Sequence, residues 1–480
     1  MKPNQEKLLL HLFDEWAGEK CINISRLPNS ASYREYYRLQ GEKNQALGVF
    51  NPDPKENRAF IEFARHFRKE GLNVPQVYTK DIKNNIYLIE DLGDQSLYTY
   101  LSQVYKNGIF PQKLIDLYKN VIGKLPRFQI LAGKKLDYTY CYPRPKFDRR
   151  SMLWDLNYFK YYFLKLAKVH FDEEELENDF QKFCDYLLNA NCDYFLYRDF
   201  QSRNILLVEE EPYFVDFQGG RKGALQYDIA SLLYDAKADI PQHIRDELLQ
   251  EYLKQAGHLI SIDEKSFMEY YWGYVLIRIM QAMGAYGFRG FYEKKEHFLQ
   301  SVPYAVANLR FILNHVILPI EIPNLWKVLI KVVESEKFKF TPTGSDTLKV
   351  RINSFAYKQG IPIDESGHGG GFVFDCRGIL NPGRSEKYKS FDGRHPDVIK
   401  FLKEETDIDE FLAHAFALID STVSDYIERK FTNLMINFGC TGGQHRSVYC
   451  AEELTRHLKS KFKIKIEINH TALKKSEIIS

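Results

Sequence analysis

One short stretch of the chain carries two carboxylates and an amide at spacings that a turn alone does not require. It reads FLYRDFQSRNILLVEEEPYFVDFQGG, with Asp199 five residues before Asn204 and Asp216 twelve residues after that asparagine. Asp and Asn are common turn residues. Phosphoryl transfer from ATP, however, needs a carboxylate to orient the attacking hydroxyl, an amide oxygen for magnesium and a second carboxylate between magnesium and the phosphates. We predict these three roles for Asp199, Asn204 and Asp216, in that order.

A second stretch, NLMINFGCTGGQHRSVYCAEELTRHL, predicts an apolar strand, a glycine-containing loop and an amphipathic helix. Gly442 and Gly443 allow the backbone to turn its N–H groups inward, and Arg446 can fork onto phosphate oxygens, so the loop is expected to bind a phosphate ester. Cys440 and Arg446 also have the C-x5-R-S spacing of cysteine phosphatases. The alternatives are a phosphate sensor, a phosphatase and a tight turn. We favour the sensor because no general acid is evident, with Asp375, Asp392 and His445 left as candidates.

The elements that must hold the first stretch form two lobes. Residues 22–50 contain three short strand-like runs, a helical pattern follows from Lys55 to about Lys69, and NNIYLIEDLGD predicts a strand that ends in an acidic hinge. From Pro111 to about Val333 the pattern is mostly helical, interrupted by the short strands NILLV and PYFVDF. This predicts a small β-rich N-lobe and a larger helical C-lobe, the bilobal fold of protein kinases.

A domain boundary is predicted at residues 336–347, EKFKFTPTGSDT, where polar residues, Pro342 and Gly344 separate two apolar patterns. Beyond it, alternating strand and helix patterns predict a small α/β domain that contains the second stretch. The predicted class is therefore α+β, with a kinase-like domain over 1–335 (N-lobe to about 92, C-lobe about 93–335), a linker over 336–347 and an α/β domain over 348–480.

Composition limits the function classes. The 480 residues are enough for two or three domains. The 66 Lys plus Arg nearly balance the 64 Asp plus Glu, so the protein as a whole has no strong positive potential, and DNA binding is not expected. No apolar run is long enough for a membrane span, and the start lacks the pattern of a signal peptide, which predicts a cytoplasmic protein without membrane partners. Seven scattered cysteines without a CxxC pair indicate reduced thiols.

Over about residues 10–335 the chain resembles the aminoglycoside phosphotransferase family of kinase-like enzymes, and within it the anomeric kinases of N-acetylmuramate and N-acetylglucosamine. The resemblance implies ATP and Mg²⁺ as cofactors, an amino sugar as substrate, Asp199 as general base, Asn204 and Asp216 as magnesium ligands, and Asp228 as a structural carboxylate. It also implies a phosphate-covering turn of Ser30, Ala31, Ser32 and Tyr33, and a hinge at Glu90 and Leu92. The matching motifs are NSASYREYYRL, KEGLNVPQVY, IEDLGDQSL, YRDFQSRNIL, VDFQGGRKG and QYDIASLLYD.

Two departures from a typical kinase leave a pseudokinase as an alternative. The strand ALGVF has no lysine to pair with the α and β phosphates, and the turn PNSAS is not glycine-rich. We expect Arg34 or Arg38, on the next strand, to meet the phosphate charge instead. Substrate choice is weakly encoded. The pocket candidates are Trp154, Asp155, Asn157, Gln218, Arg221 and Trp272, whereas the helical spacing of Tyr158, Phe159, Tyr162 and Phe163 favours packing.

From Val350 to His470 the chain closely resembles the C-terminal domain of the RapZ family of RNase adapters, in VRINSFAYKQGIPID, FVFDCRGILNP, FDGRHPDV and GCTGGQHRSV. The resemblance implies binding of a phosphorylated amino sugar and, through a basic surface, of small regulatory RNA. The Walker-type GK[ST] loop of that family is absent here. The implied phosphate contacts are Cys440, Thr441, Gly442, Gly443, His445, Arg446 and the adjoining Ser447, with Arg377 and Asn381 at the rim.

RNA binding would depend on residues 454–480, in which seven Lys or Arg and two Glu leave an excess of five positive charges. The alternation in KFKIKIEI equally indicates a strand with solvated lysines. Taken together, the patterns predict an ATP- and Mg²⁺-dependent amino-sugar kinase of cell-wall sugar metabolism with a phosphosugar-sensing domain. The alternatives are a noncatalytic nucleotide-binding RNA adapter and a bifunctional kinase and cysteine-type phosphatase.

Overall fold

The computed structural model describes residues 3–27, 34–105, 110–338, 348–362, 364, 371–428, 431–473 and 475–479. The predicted turn of Ser30, Ala31, Ser32 and Tyr33 lies outside these residues, as do 339–347 of the predicted linker. The chain forms two compact units, Met1–Phe288 with Ser301–Lys339, and Arg289–Gln300 with Phe340–Ser480. None of the helices in the described part of the chain combines the length and apolar character that a bilayer crossing needs.

The first unit begins with the β-rich lobe that the sequence predicts. Its five strands form one antiparallel sheet in the order β1-β2-β3-β5-β4. An N-terminal helix, α1 (Pro3–Ala17), which the sequence patterns did not indicate, buries Leu9 and Phe13 against Leu39 and Leu88 of the sheet. The strands are β1 (Asn23–Arg26), β2 (Glu35–Gln40), β3 (Gln45–Phe50), β4 (Val77–Asp81) and β5 (Ile86–Ile89).

Helix α2 (Pro54–Lys69) carries the acidic residue of this lobe that reaches the candidate active site. Asp53 caps the helix by accepting hydrogen bonds from the backbone N–H groups of Lys55 at 2.9 Å and Glu56 at 3.2 Å. Proline in the first turn suits a helix start because its missing N–H would have no partner there. The cap therefore fixes where the helix begins and places Glu56 in its first turn.

The C-lobe is mainly helical, and the long helix α10 forms its centre. This helix is buried over most of its length from Tyr271 to Gly287, as expected for a helix that is apolar on nearly all sides. Two short hairpin-like sheets interrupt the helices. The helices are α3 (Leu97–Val104), α4 (Gln112–Pro126), α5 (Gly133–Lys135), α6 (Arg149–Tyr158), α7 (Glu173–Leu188), α8 (Gln226–Leu233), α9 (Gln242–Gly257), α10 (Glu264–Gly287), α11 (Val302–His315) and α12 (Pro323–Glu334).

The two short sheets hold the first chemical stretch. Strand β6 (Tyr194–Leu196) pairs with β9 (Arg221–Gly223), and β7 (Ile205–Val208) pairs with β8 (Glu211–Phe214), in both cases antiparallel. Asp199 and Asn204 lie between β6 and β7, and Asp216 lies between β8 and β9. Both loops are therefore closed by strand pairs at each end, which limits how far their side chains can move apart.

The second unit is a five-stranded sheet with strand order β11-β12-β10-β13-β14. The pairs β11·β12, β12·β10 and β10·β13 are parallel, so these four strands end at the same edge, where ligands of open α/β sheets bind. The strands are β10 (Lys349–Ala356), β11 (Gly371–Asp375), β12 (Asn433–Cys440), β13 (Lys465–His470) and β14 (Lys475–Ile479), and the helices are α13 (Pro396–Glu405), α14 (Ile408–Glu428) and α15 (Arg446–Lys461).

We expect Asp53→Ala to lower the free energy of unfolding by about 1 kcal/mol, because two N–H groups of α2 lose their acceptor. We also expect a lower rate of the phosphoryl transfer that the sequence predicts, because Glu56 follows the cap directly. Chemical denaturation and an ADP-release assay measure the two effects. Asp172→Ala is the matched control, since Asp172 caps α7 through the Glu175 N–H and lies far from Glu56 in the chain. Equal loss of activity in both variants would contradict this role of Asp53.

Candidate active site and candidate phosphate-binding loop

A buried carboxylate, Asp228 on α8, holds the turn that presents Asp199. Its two oxygens accept hydrogen bonds from the backbone N–H groups of Tyr197 at 2.8 Å and Arg198 at 3.0 Å, and Gln129 donates a third at 2.9 Å. Burial raises the pKa of Asp228 to about 7 in spite of these donors. Arg198 has a left-handed φ of 86°, so the turn is strained and depends on such support. The structure thus gives Asp228 the structural role that the sequence predicted.

The side chain of Arg198 ties the same turn to helix α6. Its guanidinium donates two hydrogen bonds to Asp155, at 2.6 and 2.7 Å, and one to the hydroxyl of Tyr227 at 2.7 Å. It also lies over the rings of Phe147 and Tyr227. Asp155, a candidate substrate contact in the sequence, is therefore already paired with an arginine.

The structure brings Asp199, Asn204 and Asp216 together. The side-chain amide of Asn204 donates to the backbone carbonyl of Asp199 at 2.8 Å and to Asp216 Oδ2 at 3.2 Å. Asp216 has a left-handed φ of 68°, a conformation that non-glycine residues adopt at a cost. Burial, and then repulsion from Asp199, raise the pKa of Asp216. Two carboxylates share one poorly hydrated site, which favours a cation between them.

These residues fit a magnesium ion. An Asp216 carboxylate and an Asn204 amide oxygen are the hard oxygen donors that Mg²⁺ prefers, and in nucleotide sites the remaining ligands are waters and phosphate oxygens. The described residues contain no cluster of three or more His, Cys, Asp or Glu side chains that could hold a metal alone. The protein would thus supply two ligands of Mg²⁺, from Asp216 and Asn204, and the phosphates of a bound nucleotide would supply further ones.

A cation from the N-lobe reaches this cluster through Glu56. Arg34, which is only 3% exposed, donates to Glu56 Oε1 at 3.0 Å, and Asn51 donates to Glu56 Oε2 at 2.9 Å. Gln218 bridges the lobes, donating to Asp216 Oδ1 at 2.6 Å and to Glu56 Oε1 at 3.3 Å. Sequence patterns did not identify Glu56, although an acidic residue in the first turn of a helix after the third strand was an available signal.

The second arginine considered for the phosphates, Arg38, is bound elsewhere. It donates to both oxygens of Asp91, at 2.5 and 3.1 Å, and to both oxygens of Asp94, at 2.9 and 3.0 Å. The predicted hinge residue Glu90 accepts hydrogen bonds from the Gln76 backbone and from Arg68, and Leu92 is buried beside it. Contacts of Arg38, Glu90 and Leu92 with a nucleotide stay predictions.

Two other pocket candidates, Trp272 and Trp154, differ in how much they contact the rest of the protein. Trp272 packs against Tyr234, Tyr271 and Phe311, and Phe159 stacks on Phe163 in the core, as the helical spacing predicted. Trp154 is exposed and lies beneath Arg144 and Arg150.

In the second unit, the loop after β12 surrounds the Cys440 thiol. Cys440 is 3% exposed, its sulfur accepts a hydrogen bond from the Gly443 N–H at 3.2 Å, and it lies 3.1 Å from the Ser447 hydroxyl. Burial disfavours the thiolate, but the bonds from Ser447 and Gly443 and the charge of Arg446 bring the pKa of Cys440 below its ordinary value. The loop therefore stabilises negative charge, as an anion-binding loop does.

The forked contact of Arg446 with phosphate stays a prediction, and in the structure Arg446 bonds to protein groups, among them the Thr441 hydroxyl of the same loop at 3.4 Å. It is 3% exposed and donates to the backbone carbonyls of Arg377 at 3.1 Å and Ile379 at 2.5 Å. His445 is likewise bound, through Nε2, to the Tyr388 carbonyl at 2.9 Å. In this structure the two side chains fasten the loop to neighbouring turns, and the accessible part of the loop is Thr441 and Gly442.

Of the three candidate general acids for a phosphatase, the two aspartates form ion pairs with arginines, and His445 contacts the Tyr388 carbonyl. Arg377 donates to both oxygens of Asp375, and this holds the pKa of Asp375 below its ordinary value. Asp392 pairs with Arg394 at 2.7 Å. A carboxyl group that stays ionised at neutral pH cannot protonate a leaving group, so the geometry favours binding over hydrolysis.

A buried polar network beside this loop carried no sequence signal. The Ser354 hydroxyl lies 2.8 Å from His470 Nδ1, and His470 Nε2 lies 3.2 Å from Glu452. Ser354 lies two residues before the end of β10 and His470 ends β13. The two residues are register partners because β10 and β13 are parallel neighbours.

Two families match the chain. One, described as the phosphotransferase enzyme family, matches residues 23–268, just over half of the chain, and the other, described as the RapZ C-terminal domain, matches residues 348–474. An N-acetylmuramate/N-acetylglucosamine kinase of Pseudomonas aeruginosa is 28% identical over 252 residues, which cover 52% of this chain and 70% of that protein.

The second unit has its own relatives. A nucleotide-binding protein of Endomicrobium trichonymphae is 39% identical over 128 residues, and one of Glaesserella parasuis is 33% identical over 143 residues. The matches cover 27% and 29% of this chain and 42% and 48% of those proteins, so the chain spans less than half of their length.

Among solved structures, the chain is similar to choline kinase LicA from Streptococcus pneumoniae, with a TM-score of 0.42 and 12% identity over 63% of this chain and 99% of that one. It is also similar to the amicoumacin kinase hAmiN, solved with AMP-PNP, Ca²⁺ and Ami, with a TM-score of 0.45 and 12% identity over 67% of this chain and 99% of that one.

We predict that Gly443→Ala destabilises the second unit by at least about 1 kcal/mol, because Gly443 has a φ of +68° and a Cβ there would lie 2.8 Å from the Ala356 nitrogen. Gly442→Ala is the control, since a Cβ at Gly442 meets nothing within 4 Å and its cost should stay below about 0.5 kcal/mol. Thermal unfolding of the full chain measures both. Equal stability of the two variants would contradict the loop geometry.

Proposed function

The chain belongs to the phosphotransferase enzyme family and carries a RapZ C-terminal domain, and on this premise we propose that it phosphorylates an N-acetylated amino sugar with ATP and Mg²⁺. The protein is a phosphotransferase with a hydroxyl group as acceptor. The observation that carries the substrate proposal is the relationship to an N-acetylmuramate/N-acetylglucosamine kinase, joined to the cluster of Asp199, Asn204 and Asp216. By the same relationship we propose the anomeric hydroxyl as the acceptor.

In this mechanism Asp199 accepts the proton of the sugar hydroxyl as the hydroxyl attacks. The turn held by Asp228 keeps the Asp199 backbone in place, and Asn204 fastens that backbone to Asp216. Magnesium, when bound to Asp216 and Asn204, would neutralise the charge of the nucleotide phosphates. Little covalent chemistry is left for the protein, and rate comes from position and charge.

Arg34 supports catalysis over a pseudokinase. Kinases with a lysine on the third strand pair it with a glutamate of the next helix and with the α and β phosphates. Here the glutamate is present as Glu56, and its cationic partner comes from the start of β2 instead. We propose that Arg34 serves the function of the missing lysine, because an arginine fork can bind a carboxylate and phosphate oxygens together.

For the second unit we propose binding of a phosphorylated amino sugar without hydrolysis. The N–H groups of the loop, the start of α15 and the exposed Thr441–Gly442 segment support an anion site at the sheet edge. The ion-paired state of Asp375 disfavours the phosphatase alternative. The product of one unit and the ligand of the other would then belong to one chemical class.

RNA remains a second candidate ligand of this unit, by resemblance. Part of the excess positive charge after Leu454 is neutralised, since Arg456 pairs with Glu453 and Lys461 pairs with Asp420 at 2.7 Å. Fewer solvated cations mean fewer counterions released from RNA, so we expect weak binding with a correspondingly modest salt dependence.

We expect Asp199→Asn to lower kcat for N-acetylmuramate and N-acetylglucosamine by about 10²- to 10⁴-fold with little change in the KM for ATP, because the base acts in the transition state. A coupled ADP-release assay measures this. Asp193→Asn is the control, as Asp193 is an exposed carboxylate that directly precedes β6. Wild-type turnover in Asp199→Asn would remove Asp199 as the base, and ATP binding without turnover of any amino sugar by the unmodified protein would favour the adapter.

We expect glucosamine 6-phosphate to bind the full chain in calorimetry, and Gly442→Asp to reduce its affinity at least tenfold, because the new carboxylate would stand in the anion site. Gly257→Asp, an open position in the first unit, is the control. Unchanged affinity in Gly442→Asp would rule out the loop. Phosphate release that is lost in Cys440→Ser would establish the phosphatase instead.

A further inference from the structure

Arg221 is a buried cation next to the proposed base. It begins β9 and pairs with Leu196, three residues before Asp199. Only 6% of Arg221 is exposed, and its Nε donates to the Gly219 carbonyl at 3.0 Å. A Cβ built on Gly219 would lie 3.9 Å from Asp199 Oδ2, so one glycine separates the guanidinium from the catalytic carboxylate.

This guanidinium has no carboxylate of its own. Among the described residues no ion pair within 4.0 Å includes Arg221, whereas its neighbour Arg198 is fully engaged by Asp155. Burial, and then the charge of Arg198, lower the pKa of Arg221 to about 10. Buried charges are almost always paired, so an unpaired one costs stability that a ligand can restore.

The charged groups near Arg221 include the proposed base. Asp155 and Asp199 act on the charge of Arg221, whereas Arg34 is the arginine that acts on Asp216. The charge of Arg221 also acts on the thiol of Cys141, in the segment between α5 and α6.

That segment contacts helix α2 of the N-lobe. Arg58 of α2 lies over the Tyr140 ring at 5.0 Å, and the Tyr142 hydroxyl bonds to Asp53. A group bound by Arg221 would thus lie near this segment and Asp199.

We propose that Arg221 forms an anion subsite of the acceptor pocket and that the preferred acceptor is an amino sugar with a carboxylate substituent. The inference rests on the proposed kinase function and adds the acidic substituent and the residue that selects it. A planar guanidinium binds a carboxylate through two parallel hydrogen bonds, and both charges are then paired inside the protein. A phosphate substituent would use the same donors and is distinguished below.

The test compares kcat/KM for N-acetylmuramate, which has a carboxylate, with that for N-acetylglucosamine, which lacks it. We expect the wild-type ratio to favour the acid, and Arg221→Gln to reduce this ratio at least tenfold, mainly through KM. Arg221→Lys should give an intermediate ratio because it keeps the charge but loses the fork. Lys222→Gln, the next residue of the strand and paired with Asp193, is the control and should leave the ratio unchanged.

Equal kcat/KM for the two sugars, or an equal loss for both in Arg221→Gln, would overturn the proposal while leaving the kinase function standing. Turnover of neither sugar would instead count against the proposed function.

Two measurements on the unmodified protein do not depend on a variant that folds. Calorimetry with ADP and Mg²⁺ should show at least tenfold weaker binding for the methyl ester of N-acetylmuramate than for the acid, and equal binding would overturn the proposal. Competitive inhibition of N-acetylmuramate turnover by N-acetylglucosamine 6-phosphate, with an inhibition constant below the Kd of the acid, would assign the subsite to a phosphate and overturn the carboxylate, because competition with the acceptor excludes binding to the second unit.

Discussion

The first unit is organised around two carboxylates, Asp199 and Asp216, that Asn204 holds together. Burial of Asp216, and then repulsion from Asp199, raise the pKa of Asp216. The backbone is constrained to maintain this arrangement, with left-handed φ angles at Arg198 and Asp216. Asp228 offsets part of the strain by accepting two N–H groups. The site is thus unfavourable for the empty protein and suited to a metal nucleotide, as expected for a preorganised catalytic centre.

In both units a candidate functional side chain lies where a buried strand gives way to a loop. In the first, Asp199 follows β6 and in the second Cys440 ends β12. Parallel or paired strands fix the loop ends, and a residue with positive φ turns the chain back, Arg198 in one case and Gly443 in the other. The two loops differ in what they stabilise, since backbone and hydroxyl donors favour a Cys440 thiolate whereas Asn204 and Gln218 organise oxygen ligands.

Spacing along the chain identified Asp199, Asn204 and Asp216, which the structure brings together from two neighbouring loops, and it predicted the fold class because strand and helix periods differ. Partners from distant segments were not predictable in the same way. Glu56 and Gln218 meet 162 positions apart, and Ser354 and His470 meet through strand pairing. The motif around Arg446 predicts a phosphate contact from residue types alone. The hydrogen bonds of Arg446 to the carbonyls of Arg377 and Ile379 involve a turn outside the motif, so the motif could not predict them.

Three buried arginines near the catalytic cluster show how charge indicates function here. Arg198 pairs with Asp155 and Arg34 with Glu56, so each has a counter-ion within the protein. Arg221 does not, although replacing it with an apolar residue would remove an unpaired buried charge and the cost of its desolvation. Stability alone therefore gives no reason for a charged residue at this position. A ligand that supplies the missing negative charge does, because catalytic and binding sites retain groups that the fold would be more stable without.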